Sequence, residues 1–202
     1  MTKNTFTLTL ITLFMLAGFI SVAQKAPSGQ SDNPYPFGPT ETGPVLYDQF
    51  VNPASSWLNS SEYTDAGSLA LTSEGADDFD VPTGETWEIG KVAFPGYFGY
   101  GQAGGAGNVN IRFYADDNGM PGTELHAFVN VTPSHWTETL DGSYMATYGE
   151  VEISPSITLT EGKYWLSCQV ITDYTVQGDW GWGLENNNPW VGEKLHWRNP
   201  LD

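Results

Sequence analysis

The stretch from Gly75 to Phe94 constrains the chain most. Asp77, Phe79 and Val81 share one parity, and Asp78 and Asp80 share the other. A period of two is the pattern of a half-buried strand. Pro82-Thr83-Gly84 then supplies turn chemistry, Pro fixing φ and Gly tolerating φ > 0. Beyond it Trp87 and Ile89 alternate, Gly90 interrupts, and Val92 and Phe94 resume on the shifted parity. A glycine that shifts the frame in this way marks a β-bulge. The expectation is a β-hairpin whose Phe79, Val81, Trp87, Ile89, Val92 and Phe94 anchor a sheet-on-sheet core. Ile111, Phe113, Leu166 and Cys168 are expected to be buried with them.

The rest of the chain repeats this character. Val45–Phe50 and Ser68–Thr72 read as short strands, with polar, turn-rich sequence between them. Val109, Ile111 and Phe113 alternate with Asn110, Arg112 and Tyr114. Leu125, Ala127, Val129 and Val131 alternate with His126, Phe128 and Asn130. Further strands are expected over 144–153, 157–159, 163–171, 180–182 and 194–197. No window outside the N-terminus has helical periodicity. About nine or ten short strands separated by turn signals predict an all-β fold, a jelly-roll-like antiparallel β-sandwich. The Gly-rich segment 95–107 has no Lys followed by Ser or Thr, so it is a loop rather than a phosphate cradle.

The N-terminus stands apart. Lys3 precedes an apolar run over 6–20, and Ser21-Val22-Ala23 fits a small-x-small cleavage site. Residues 1–23 therefore read as a secretory signal peptide, shorter in its apolar part than a membrane span needs. Residues 24–44, rich in Pro, Gly, Ser and Asn, read as a linker or N-terminal arm, and 45–202 as the sandwich domain. The localisation expected is secreted or cell-surface, with no membrane insertion after cleavage. The chain carries 24 acidic and 7 basic residues, a net charge of −17. Such a balance excludes nucleic acid as a partner, since phosphate binding needs a basic patch. Cys168, the single cysteine, allows no internal disulfide and reads as a buried thiol beside Leu166 and Val170.

Chemistry is sparsely marked. There is no His-Glu-x-x-His, no Gly-x-Ser-x-Gly and no cysteine pair for zinc, and His126, His135 and His196 are isolated. The expectation is therefore no enzymatic activity, although a glycosidase needs only two unmarked carboxylates. Aromatics are the better signal. Trp180, Trp182, Trp190 and Trp197 fall in the last 23 residues, among glycines and Asn186-Asn-Asn-Pro189. Trp180 and Trp182 would share one strand face. They either form a platform for sugar rings, with Asn186 binding hydroxyls, or fill the end of the core. Asp116, Asp117 and Asn118 could ligate calcium, the one ion considered as a cofactor; Asp-Asn-Gly is equally good turn chemistry and is the preferred reading. Asp77 and Asp78 need partners: a turn cap, Arg112 or a cation.

Four segments also carry a resemblance. Ala76-Asp77-Asp78-Phe79 precedes a Val-Pro turn and Trp87-Glu88-Ile89. Phe113-Tyr114-Ala115-Asp116 precedes Gly119-Met120-Pro121-Gly122. Leu159-Thr160-Glu161-Gly162-Lys163-Tyr164-Trp165-Leu166 and Trp197-Arg198-Asn199-Pro200 follow in order. Over roughly 45–200 this resembles a family of exported bacterial β-sandwich domains with no established activity. The resemblance implies a module of a larger exported protein. Family members continue past Asn-Pro, so a further strand or a C-terminal tail is expected beyond Asp202. The function expected is a secreted non-catalytic binding module for a glycan or cell-surface ligand, with polysaccharide or a surface protein as partner. The alternatives are a structural or adhesion module and an unmarked glycoside hydrolase.

Overall fold

The computed structural model describes residues 44–49, 53–99, 105, 107–141, 144–185 and 196–200. The expected signal peptide and most of the expected N-terminal arm lie outside them. Among the described residues there are nine strands. They are β1 (Pro53–Asn59), β2 (Ser61–Tyr63), β3 (Glu74–Phe98), β4 (Val109–Asp116), β5 (Pro121–Val131), β6 (His135–Asp141), β7 (Tyr144–Thr172), β8 (Trp180–Glu185) and β9 (His196–Arg198). One short helix, α1 (Tyr174–Gln177), is capped by the Asp173 carboxylate. The fold is all-β, as the alternation predicts.

The strands form one sheet in the order β1-β8-β3-β7-β4-β5, with β2 and β6 also on β7 and β9 on β3. All pairings are antiparallel except β2 with β7. The long β3 and β7 run together through the whole sheet. Ala76–Val81 pairs with Gly162–Ser167, and Lys91–Phe98 pairs with Met145–Glu152. One end of the sheet thus holds β9, the first half of β3, the second half of β7, β4 and β5. The other end holds β1, β8, the second half of β3, the first half of β7 and β6. The sheet curls so that apolar side chains from both ends join one core, which makes it sandwich-like.

The curl has a local cause. Register breaks between Val81 and Thr86, where Gly84 takes φ +82°. Its N–H donates to the Glu161 carboxylate at 2.6 Å, tying β3 to β7 at the bend. Pro82-Thr83-Gly84 is therefore a corner within one strand, and the expected hairpin does not form. Phe79 faces Tyr164 and Trp87 faces Leu159, both on β7. The physical reason is length: a partner as long as β3 satisfies the backbone of both halves, which folding β3 on itself would do only once. The bulge at Gly90 is present, as a register shift between Ile89 and Lys91.

Phe79, Val81, Trp87, Ile89, Val92, Phe94, Ile111, Phe113 and Cys168 are buried in the core, with Leu166 partly buried against it. Phe79 stacks on Trp87 at 6.3 Å with an interplanar angle of 4°. Two expected strands are corrected. Residues 44–49 carry no strand; Leu46 packs on the core edge and Tyr47 on Phe79. Leu69–Leu71 is a 3-10 turn with both leucines exposed. Conversely β1 and β2 lie in sequence read as polar and turn-rich, and β6 in a segment for which no strand is expected; backbone pairing to β8 and β7 holds all three.

Candidate functional site

Trp180 and Trp182 do not form the exposed platform that is one of their two expected roles. Trp180 is fully buried. Its indole meets Phe94 edge-on at 5.9 Å, and its Nε1–H donates to Thr147 Oγ1 at 2.9 Å. Gly96 makes room for it: a Cβ there would fall inside the Trp180 ring. Trp182 is 8% exposed and belongs to the same core. The platform expected of Trp180 and Trp182 is therefore corrected to core, because their face of β8 turns inward. Trp190 and Asn186 lie outside the described residues. Trp197, 54% exposed, is the one of the four C-terminal tryptophans described at the surface.

Trp197 lies at a second kind of place. A concave pocket of about 190 Å³ is lined by Glu74, Ala76, Tyr114, Met120, His196 and Arg198, with Pro121 and Trp197 completing the wall. Each side chain is placed by strand pairing. β9 lies on β3 with Arg198 opposite Glu74 and His196 opposite Ala76. His196 and Arg198 share one face of β9, and Trp197 takes the other. Tyr114 comes from β4, two strands away across β7. Its face of the sheet is the outer one, with Ala76 and the fully buried Trp165.

Glu74 organises the pocket. It is almost wholly buried and accepts hydrogen bonds from Tyr114 Oη at 2.7 Å, from Arg198 Nε at 2.9 Å and from Arg198 Nη2 at 2.6 Å. Arg112 Nη1 adds a contact at 3.4 Å. Burial alone would raise the Glu74 pKa. The bonds from Tyr114 and Arg198 and the charge on Arg112 outweigh it and hold the carboxyl below its ordinary value. The Tyr114 hydroxyl is pushed up, first by burial and then by Glu74. Arg198 lies over the Tyr114 ring at 5.4 Å, a cation–π distance. A carboxylate so fixed in its charged form is a poor general acid, and a phenol held protonated is a poor nucleophile.

Nearby, Asp116 is committed to its turn. Its carboxylate accepts from the Gly119 N–H at 3.1 Å and from the Trp165 indole at 2.9 Å. Asp117 accepts from the Asn118 amide, and Asn118 has φ +56°. These are the bonds of a hairpin turn, the preferred reading of the segment. Asp78 pairs with Lys163 at 2.8 Å and Asp77 accepts from the Asp78 N–H, while Arg112 bonds Glu74 and Glu124. Among the described residues no group of three His, Cys, Asp or Glu is gathered for a metal. Burial pushes the Cys168 thiol well up, as expected of a small hydrophobe.

A larger cavity of about 420 Å³ opens at the core edge between Pro44–Tyr47 and β3. Its walls are the core's own Phe79, Trp87, Phe113 and Leu166. Of its three charged lining residues, Lys91 and Glu152 pair with each other at 3.3 Å and Glu88 accepts from Ser156. The smaller pocket is the better site, because several polar groups converge on it. No family model, no curated protein and no solved structure matches the chain. Sequence reasoning missed Glu74, Tyr114 and Arg198 as a site. The one available signal was the pairing need of an acidic residue in a strand otherwise buried.

Proposed function

We propose that the chain is an exported, non-catalytic binding module, that its ligand is a glycan, and that the Glu74–Tyr114–Arg198 pocket holds it. The observation that carries this reading is the pocket itself: a small concavity with aromatic and apolar walls and charged donors fixed in place. Sites of this make-up orient a ligand by a few polar groups against an apolar surface. The settled charge of Glu74 supports binding over catalysis. The leader sequence and the resemblance to exported sandwich domains support the compartment.

Met120 gives the test, since it is 52% exposed at the pocket and carries no core packing. The purified protein is applied to a panel of immobilised neutral and acidic glycans. Wild type is expected to be retained by at least one. Met120→Glu should lose retention about tenfold or more, with an unchanged melting temperature, because its carboxylate fills the pocket rim and competes for the Arg198 guanidinium. Equal retention of both proteins would remove the pocket from the reading.

A structural or adhesion module is the second reading. The burial of Trp180 and Trp182 favours it, because those aromatics serve the core. It predicts no retention by any member of the panel.

A further inference from the structure

Arg112 and Arg198 are the chain's only arginines. Both bond one carboxylate, Glu74, in a chain of net charge −17. Arg112 is largely enclosed between Glu74 and Glu124, so two arginines stand against two carboxylates on this face. Arg198 is different. Its side chain is 57% exposed. Glu74 holds its Nε and Nη2, Nη2 also donates to Tyr114 Oη at 2.9 Å, and the guanidinium rests over the Tyr114 ring. Among the described residues its Nη1 has no hydrogen-bond partner. With Nε and both N–H bonds of Nη2 taken, Nη1 is the donor left on a guanidinium whose plane is fixed, and it can give one charge-assisted hydrogen bond to a carboxylate.

We infer that the pocket takes a single pyranose ring bearing a carboxylate, a terminal acidic sugar whose carboxylate meets Arg198. The inference rests on the glycan reading above and names its ligand class. Size argues for one ring, since about 190 Å³ is below the roughly 300–1,000 Å³ of drug-sized sites. Ala76, Met120 and Pro121 offer apolar surface to the ring's C–H face. Charge argues for a terminal sugar rather than a polyuronate. The acidic surface as a whole repels a polyanion, while one carboxylate meets the local arginine within a Debye length of about 8–10 Å.

The test compares two immobilised oligosaccharides that differ only at the terminal C6, glucose in one and glucuronic acid in the other. The acidic probe should bind about 10- to 100-fold tighter, the factor expected of a charge-assisted hydrogen bond. Arg198→Lys should lose most of that preference, because a single ammonium drawn to Glu74 balances it but leaves no second nitrogen in the place of Nη1. Should that variant melt early, Met120→Glu on the same rim must weaken the acidic probe instead. Equal binding of the two probes would overturn the acidic-sugar inference and leave the glycan reading standing. Retention of neutral glycans alone would do the same. Retention of nothing in either experiment would end both.

Discussion

Glu74 is the residue on which most of the outer face depends. It lies 38 residues from Arg112, 40 from Tyr114 and 124 from Arg198. No local pattern connects those positions, so the site was not legible in the sequence although each member was. Pairing of β9 with the start of β3 brings in Arg198, and pairing of β3 through β7 to β4 brings in Arg112 and Tyr114. Its depressed pKa has a pH consequence. Below the ordinary glutamate value of 4.5 the unfolded chain takes up a proton that the native carboxylate, held lower, refuses. The stabilisation is whole above that value and is lost as pH falls through the native one. Thermal melts of the wild type between pH 7 and pH 3 should therefore steepen below about 4.5. Glu74→Gln should melt lower at pH 7 and show a shallower acid slope. Parallel slopes would show that Glu74 does not carry the transition.

At the scale of elements, legibility followed alternation. β3 and β4 were readable because one face is apolar and the other polar, and β8 because Trp alternates with Gly; β5 was readable as a strand but not in its faces, since Leu125 and Val129 are exposed while Phe128 packs on the core. β1, with Pro-Ala-Ser-Ser, and β6, with Thr-Glu-Thr, show no such faces in sequence; pairing and one tryptophan each, Trp57 on Tyr97 and Trp136 on Phe94, hold them. The corner at Pro82–Gly84 was readable as a change of direction but not as to kind. The same three residues can close a hairpin or bend a strand, and the choice belongs to β7. The tryptophans of β8 illustrate a further limit: a period of two says that Trp180 and Trp182 share a face, not which way it points. Gly96 on the neighbouring strand settles that locally, since only a missing side chain lets the Trp180 ring lie flat there. Gly96→Ala should destabilise the protein by about 1–3 kcal/mol or more, the usual cost of overpacking. Chemical denaturation would measure it. An unchanged midpoint would mean that Trp180 has another place to go.

The whole molecule carries a net charge of −17 on a single small sandwich. Such a surface repels itself, and the repulsion is screened by salt. Raising sodium chloride from low to moderate ionic strength should stabilise the protein by about 1 kcal/mol, or roughly 2–4 °C in melting temperature for a chain of this size. A fall instead would show that ion pairs such as Lys163–Asp78 and Arg198–Glu74 outweigh the repulsion.

The shared ribbon of β3 and β7 also sets an order of events. Residues 74–98 leave the ribosome, or an export channel entered N-terminus first, well before residues 144–172 do. Until then β3 has neither its central neighbour nor a closed core, and its pairing edges are open to other chains. Neither layer can assemble early, because each contains half of the same late strand. The domain must therefore wait, nearly complete, for its seventh strand. A holding partner at the exit, or fast emergence of the last third of the chain, would protect it most during that interval.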